Sequence, residues 1–140
     1  MQNIICTKRT PKQSFADGVE DKIKNQLNRY DYETGVYIGA KAGMISYFFF
    51  DEGVRQADKL MYVPNITIIN SELKRWYDEG VGFIGFIHSH IDNDILSYAD
   101  LDFAKNILVS NGINEIYMGV LNMKIGAITY YCVCFVGTEK

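Results

Sequence analysis

Residues 81–87 read Val-Gly-Phe-Ile-Gly-Phe-Ile, without one polar side chain. The run has the length of a strand, falls far short of the ~20 apolar residues that cross a bilayer, and calls for cover on both faces. Such a segment belongs inside a sheet that other elements pack against. It ends in His88-Ser89-His90, which holds both histidines of the chain. Residues i and i+2 of a strand project from the same face, so both imidazoles can reach one cation. A carboxylate follows at Asp100. Two nitrogen donors and one oxygen donor leave a fourth tetrahedral position open, which a catalytic zinc site needs and a structural one avoids.

Periodicity supplies the elements around that strand. Phe15, Val19, Ile23 and Leu27 recur every four residues and predict a helix over residues 13–29, with Ser14 or Asp17 near its start. Residues 35–39 and 44–50 read as two strands of a hairpin joined at Lys41-Ala42-Gly43. A short strand is expected at residues 60–63, ended by Pro64. Asn70 or Ser71 would cap a helix reaching Asp78, with Leu73, Trp76 and Tyr77 inward and Gly80 as its stop. A helix over residues 98–110 would bury Leu101, Ala104, Ile107 and Leu108. Strands near residues 115–121 and 127–136 would flank the turn Lys124-Ile125-Gly126. The aromatic run Tyr47-Phe48-Phe49-Phe50 is expected in the core. Gly35 and Gly39 either let their strand lie close to a neighbour or mark turns. The fold class is therefore α/β (mixed α+β), with helices on a mixed sheet. At 140 residues, 48% of them apolar, one domain over 1–140 is expected.

Charge narrows the partners. The net charge of -3 leaves no cluster of Lys and Arg able to neutralise a run of phosphates, so no nucleic-acid role is expected. Residues 1–6 lack the charged and long apolar regions of a signal peptide, and no apolar run is long enough for a membrane span; a cytoplasmic location is expected. Cys6, Cys132 and Cys134 are odd in number and lack C-x-x-C spacing. Cys132 and Cys134 alternate along an apolar strand, where packing is the expected role ahead of ligation of a soft metal.

Hydrolysis at a metal needs a base for the water and a donor for the oxyanion. Glu33 immediately precedes the strand Gly35-Val36-Tyr37-Ile38-Gly39, and Ser97 lies between His90 and Asp100. Ser97-Tyr98-Ala99-Asp100 also reads as a helix cap, with the aspartate near the positive end of the dipole, and the two readings are compatible. Asp92 and Asp94 are read as solvating their loop, with attraction of a basic substrate residue as the second role.

A glutamate opening a strand, a distant His-x-His and then Ser-x-x-Asp at a helix start resemble the pattern of the JAB/MPN family of metal-dependent isopeptidases, also called JAMM proteases. The match reads Glu33, His88-Ser89-His90 and Ser97-Tyr98-Ala99-Asp100. The order of expected elements resembles that fold over nearly the whole chain. The resemblance implies a single MPN/JAB-like domain with a cytidine-deaminase-like, mostly antiparallel mixed sheet. It also implies Zn2+ held by His88, His90 and Asp100, Glu33 as general base and Ser97 as oxyanion donor. The implied substrate is the C-terminal tail of a ubiquitin-like protein or its conjugate, cleaved in modifier removal, defence or sulfur-carrier processing. Two departures stand out: Ile91 replaces the usual proline, and the loop before Ser97 is one residue shorter, so that loop is expected to take its own path. The chain lacks length for large insertions, like a compact prokaryotic member. Two other readings share the motif, a non-catalytic MPN-type scaffold and a zinc hydrolase of another peptide amide.

Overall fold

The computed structural model describes residues 3–54 and 62–137. Its elements follow as β1 (Ile4–Lys8), β2 (Ser14–Phe15), α1 (Val19–Leu27), β3 (Gly35–Lys41), β4 (Met44–Asp51), α2 (Ile66–Asp78), β5 (Gly82–His90), α3 (Tyr98–Asn111), β6 (Glu115–Asn122) and β7 (Ala127–Phe135). The strands form one sheet in the order β1-β7-β6-β5-β3-β4-β2. Among the described residues only β5–β6 and β2–β4 pair in parallel, so the sheet is mixed, as the sequence pattern predicts, and mostly antiparallel.

The apolar strand is central, with β3 antiparallel on one side and β6 parallel on the other. The parallel pair needs a crossover, and α3 supplies it, which brings the start of α3 to the carboxyl end of β5. Alternation divides the side chains between two cores. Phe86, Tyr37, Met118 and Val133 pack with Leu73 and Trp76 of α2 and Ala104 and Leu108 of α3. Ile87, Val36, Ile38 and Leu121 pack with Ile23 and Leu27 of α1. Helices thus cover both faces of the strand that carries the histidines. A Cβ at Gly85 would lie 1.8 Å from the Tyr117 carbonyl oxygen, so only glycine lets β5 approach β6 this closely.

Several local expectations are corrected. The first helix begins at Val19, because Gly18 at its N-cap has φ of 78°, and Ser14–Phe15 instead pairs with Met44 and Ile45 as a strand. Phe15 still packs on the cluster of Val19, Ile23 and Leu27, so its spacing carried real burial information but the wrong local structure. The helix placed near residue 70 starts at Ile66, capped by Asn65, whose side chain accepts from Ile68 N–H at 3.4 Å. Tyr77 is 83% exposed instead of inward. The edge strand β1 was not anticipated. Of the strand expected at residues 60–63, positions 60 and 61 lie outside the described residues, and Tyr62 and Val63 are not in a strand. Tyr47 to Phe50 are partly buried, Tyr47 and Phe49 on one core and Phe48 and Phe50 on the other. Cys132 and Cys134 are buried and free, and Cys6 is exposed. Among the described residues no helix is long and apolar enough to cross a membrane.

Candidate metal centre

His88 and His90 face the same side of β5 as Phe86, towards α3, while Ser89 faces the other way. The carboxylate comes from the first turn of α3. Ser97 is its N-cap: Ser97 Oγ accepts from Asp100 N–H at 3.1 Å, and Asp100 Oδ2 accepts from Ser97 N–H at 2.9 Å. This capping box satisfies two end groups of the helix and fixes the Asp100 side chain near the positive end of the dipole.

The three groups converge. His88 Nε2 lies 2.9 Å from His90 Nε2 and 3.2 Å from Asp100 Oδ1, and His90 Nε2 lies 3.3 Å from Asp100 Oδ2. Donors around one tetrahedral zinc are about 3.3 Å apart, and each of these contacts lies near that spacing, with the two imidazoles facing different oxygens of the one carboxylate. Two imidazole nitrogens at this distance cannot both present bare lone pairs; a proton or a metal ion has to lie among them and the carboxylate. Among the described residues this is the only such group of potential ligands. Burial works against the charged form of Asp100, but hydrogen bonds from His88 and His90 and from Ser97 N–H outweigh it and hold the carboxyl well below its usual range. Burial likewise disfavours the His90 imidazolium, and Asp100, Asn93 and the charge of Glu33 overcome it, raising its pKa.

The group lines an open cavity of about 590 Å³ bordered by Glu33, Tyr62, Asn93, Ile95, Leu96, Ser97 and Ala99. All five residues singled out in the sequence therefore border one cavity. Glu33 lies two residues before Gly35, which opens β3 and pairs with His88, and it borders the cavity beside the histidines. Ser89 holds that approach from behind, its N–H donating to the Thr34 carbonyl at 3.0 Å and its Oγ accepting from Thr34 N–H at 3.0 Å. Tyr32 donates to Glu52.

Three contributors were not foreseen. Tyr62 forms a wall: its N–H donates to Glu33 Oε1 at 3.4 Å and its ring lies 6.3 Å from that of His88. Gly35 makes the room, since a Cβ there would lie 2.7 Å from the Tyr62 ring. The Tyr62 hydroxyl donates to buried Asp51 at 2.6 Å and lies 2.9 Å from the Tyr37 hydroxyl. Burial pushes the Tyr62 phenol up, so it remains a donor. Asp51 also receives Asn65 N–H at 3.1 Å, tying the wall to the start of α2. No sequence spacing links residues 33, 51 and 62.

Asn93 is the second, its Oδ1 contacting His90 Nδ1 at 2.9 Å and Ile95 N at 3.0 Å. Asp94 is the third. Instead of solvating the loop, its carboxylate accepts from the Thr129 hydroxyl at 3.0 Å and its carbonyl from the Tyr131 hydroxyl at 2.5 Å. The short loop without proline is thus pinned to β7. Asp92 is exposed, as expected. An Asx turn, with Asn93 two residues before Ile95, is the available sequence signal for Asn93.

No protein-family model matches the chain, and no curated protein matches it. Among solved structures it is similar in fold to the solution structure of protein DSY2949 from Desulfitobacterium hafniense. The TM-score is 0.56 at 9% identity, over 79% of this chain and 75% of that one. At that identity the likeness is one of fold alone: a mixed α+β sheet with helices is the architecture the two chains share.

Proposed function

We propose that the chain is a zinc-dependent amide hydrolase of the JAB/MPN type, which cleaves after the C-terminal tail of a ubiquitin-like protein or its conjugates. One observation carries the reading: His88, His90 and Asp100 each offer a donor atom, all within 4.8 Å of one another, at a cavity that Glu33 and Ser97 also line. Bound there, zinc would polarise an amide carbonyl and lower the pKa of a ligated water towards about 7. Glu33 borders the same cavity and takes up the proton of the attacking water, then delivers it to the leaving amine. Ser97 Oγ accepts from Asp100 N–H, which leaves its own proton free to donate to the oxyanion. No covalent intermediate is required, and none of the three cysteines lines the cavity. The ubiquitin-like substrate rests on the sequence resemblance. The cavity is compatible with an extended tail, since it is open and has exposed Ile95 in its lining.

The test is metal content of the purified protein and of the variant carrying His88→Ala and His90→Ala, followed by cleavage of ubiquitin-like fusions by wild type and Glu33→Gln. Near one zinc per chain, lost in the double variant, with cleavage abolished by Glu33→Gln, supports the reading. Failure to take up zinc even when it is supplied overturns it and leaves a scaffold domain.

A further inference from the structure

Asn93 Oδ1 makes two contacts, and together they decide a question of chemistry. One partner is Ile95 N, at 3.0 Å, and a backbone N–H can only donate. The amide atom facing it must therefore be the oxygen. That same oxygen lies 2.9 Å from His90 Nδ1, so Nδ1 must carry a proton. In the neutral ring a proton on Nδ1 leaves Nε2 bare, and Nε2 is the atom turned towards His88 and Asp100. A metal ion requires a bare nitrogen. His88 has no such support: its Nδ1 is buried without a hydrogen-bond partner among the described residues.

From this geometry we infer that Asn93 is a positioning residue, which holds His90 in the Nδ1–H tautomer and the ring orientation ready to ligate a divalent cation. The same oxygen caps the turn that leads towards Ser97, so loop path and ligand tautomer are set by one atom. Asp94, bonded to Thr129 and Tyr131, anchors the loop independently of His90. The inference rests on the reading of His90 as a metal ligand.

The experiment has two readouts on the intact chain. Long-range proton–nitrogen NMR of the metal-free protein at pH 8 reports which nitrogen of His90 carries the proton. Competition with a chromophoric chelator reports zinc affinity. In Asn93→Ala, the Nδ1–H form of His90 is expected to lose its dominance and zinc affinity to fall about 10–100-fold. Asn93→Asp, which keeps an acceptor for both donors, is expected to restore both. Thr129→Val, which frees the Asp94 carboxylate without touching His90, is expected to leave both readouts unchanged. If Asn93→Ala binds zinc as tightly as wild type with His90 still protonated on Nδ1, or if Asn93→Asp rescues neither readout, the inference is overturned alone. A wild-type protein that binds no zinc overturns it together with the metal reading.

Discussion

The two sides of the cavity are held by different kinds of structure. His88 and His90 sit on a central strand paired on both sides, and Asp100 sits in the first turn of a capped helix joined to that strand by a pinned loop. Glu33 lies just before β3, where Tyr62 N–H meets its carboxylate, and Tyr62 is in turn held by Asp51 from the far end of β4. On the ligand side, regular elements fix each donor through their own backbones. On the Glu33 side, a chain of side-chain bonds between distant segments does so. The difference teaches that one site can combine a rigid half and a half that depends on tertiary contacts, and that each half should fail in its own way.

The largest effect should come from breaking the rigid half. Substituting both histidines with alanine should take the zinc stoichiometry from near one to zero. It should also remove the rise in melting temperature that zinc gives the wild type, read by elemental analysis and calorimetry. Glu33→Gln should come next, lowering the cleavage rate by roughly 10²–10⁴-fold while zinc content stays at the wild-type level. A loss of zinc in that variant would place Glu33 with the ligands and erase the distinction between the two halves.

Tyr62→Phe loosens the second half alone. It leaves the buried Asp51 carboxylate without its hydroxyl donor, and about 1–3 kcal/mol of stability should be lost in urea unfolding. Cleavage should slow and zinc content should not change. Smallest in stability is Ser97→Ala, which removes a helix cap worth about 1 kcal/mol. Ser97 belongs to the rigid half by position and to the reacting half by proposed role, so it sharpens the comparison: if cleavage falls no further than the loss of cap accounts for, the oxyanion role is refuted.

The same contrast decides what could be read from the sequence. β5, α3, β6 and β7 follow from apolar runs, a capping motif and turn glycines, because each is written in a short contiguous stretch. His88, His90, Ser97 and Asp100 share that property and could be placed on their elements directly. The Tyr37–Tyr62–Asp51 chain could not, since it joins residues whose closeness exists only after the hairpin and α2 have packed. Helix starts are hidden in the sequence where an unremarkable residue decides them. Gly18, with its positive φ, stops the pattern that Phe15 begins by spacing, and Asn65 caps a first turn whose Ile66, Thr67 and Ile68 look strand-like. β1 escaped notice because an edge strand of five residues carries little alternation.

That edge strand has a mechanical consequence. β1 lies antiparallel to β7, with Ile4 opposite Phe135 at one end of the ladder and Lys8 opposite Tyr131 at the other. Tension applied across the first and last strands meets the ladder at its Ile4–Phe135 end, so its bonds rupture in succession instead of resisting together. Under load the molecule should unzip by peeling β1 away, while β5, the fourth strand in the sheet order, keeps both its neighbours and carries none of the early force.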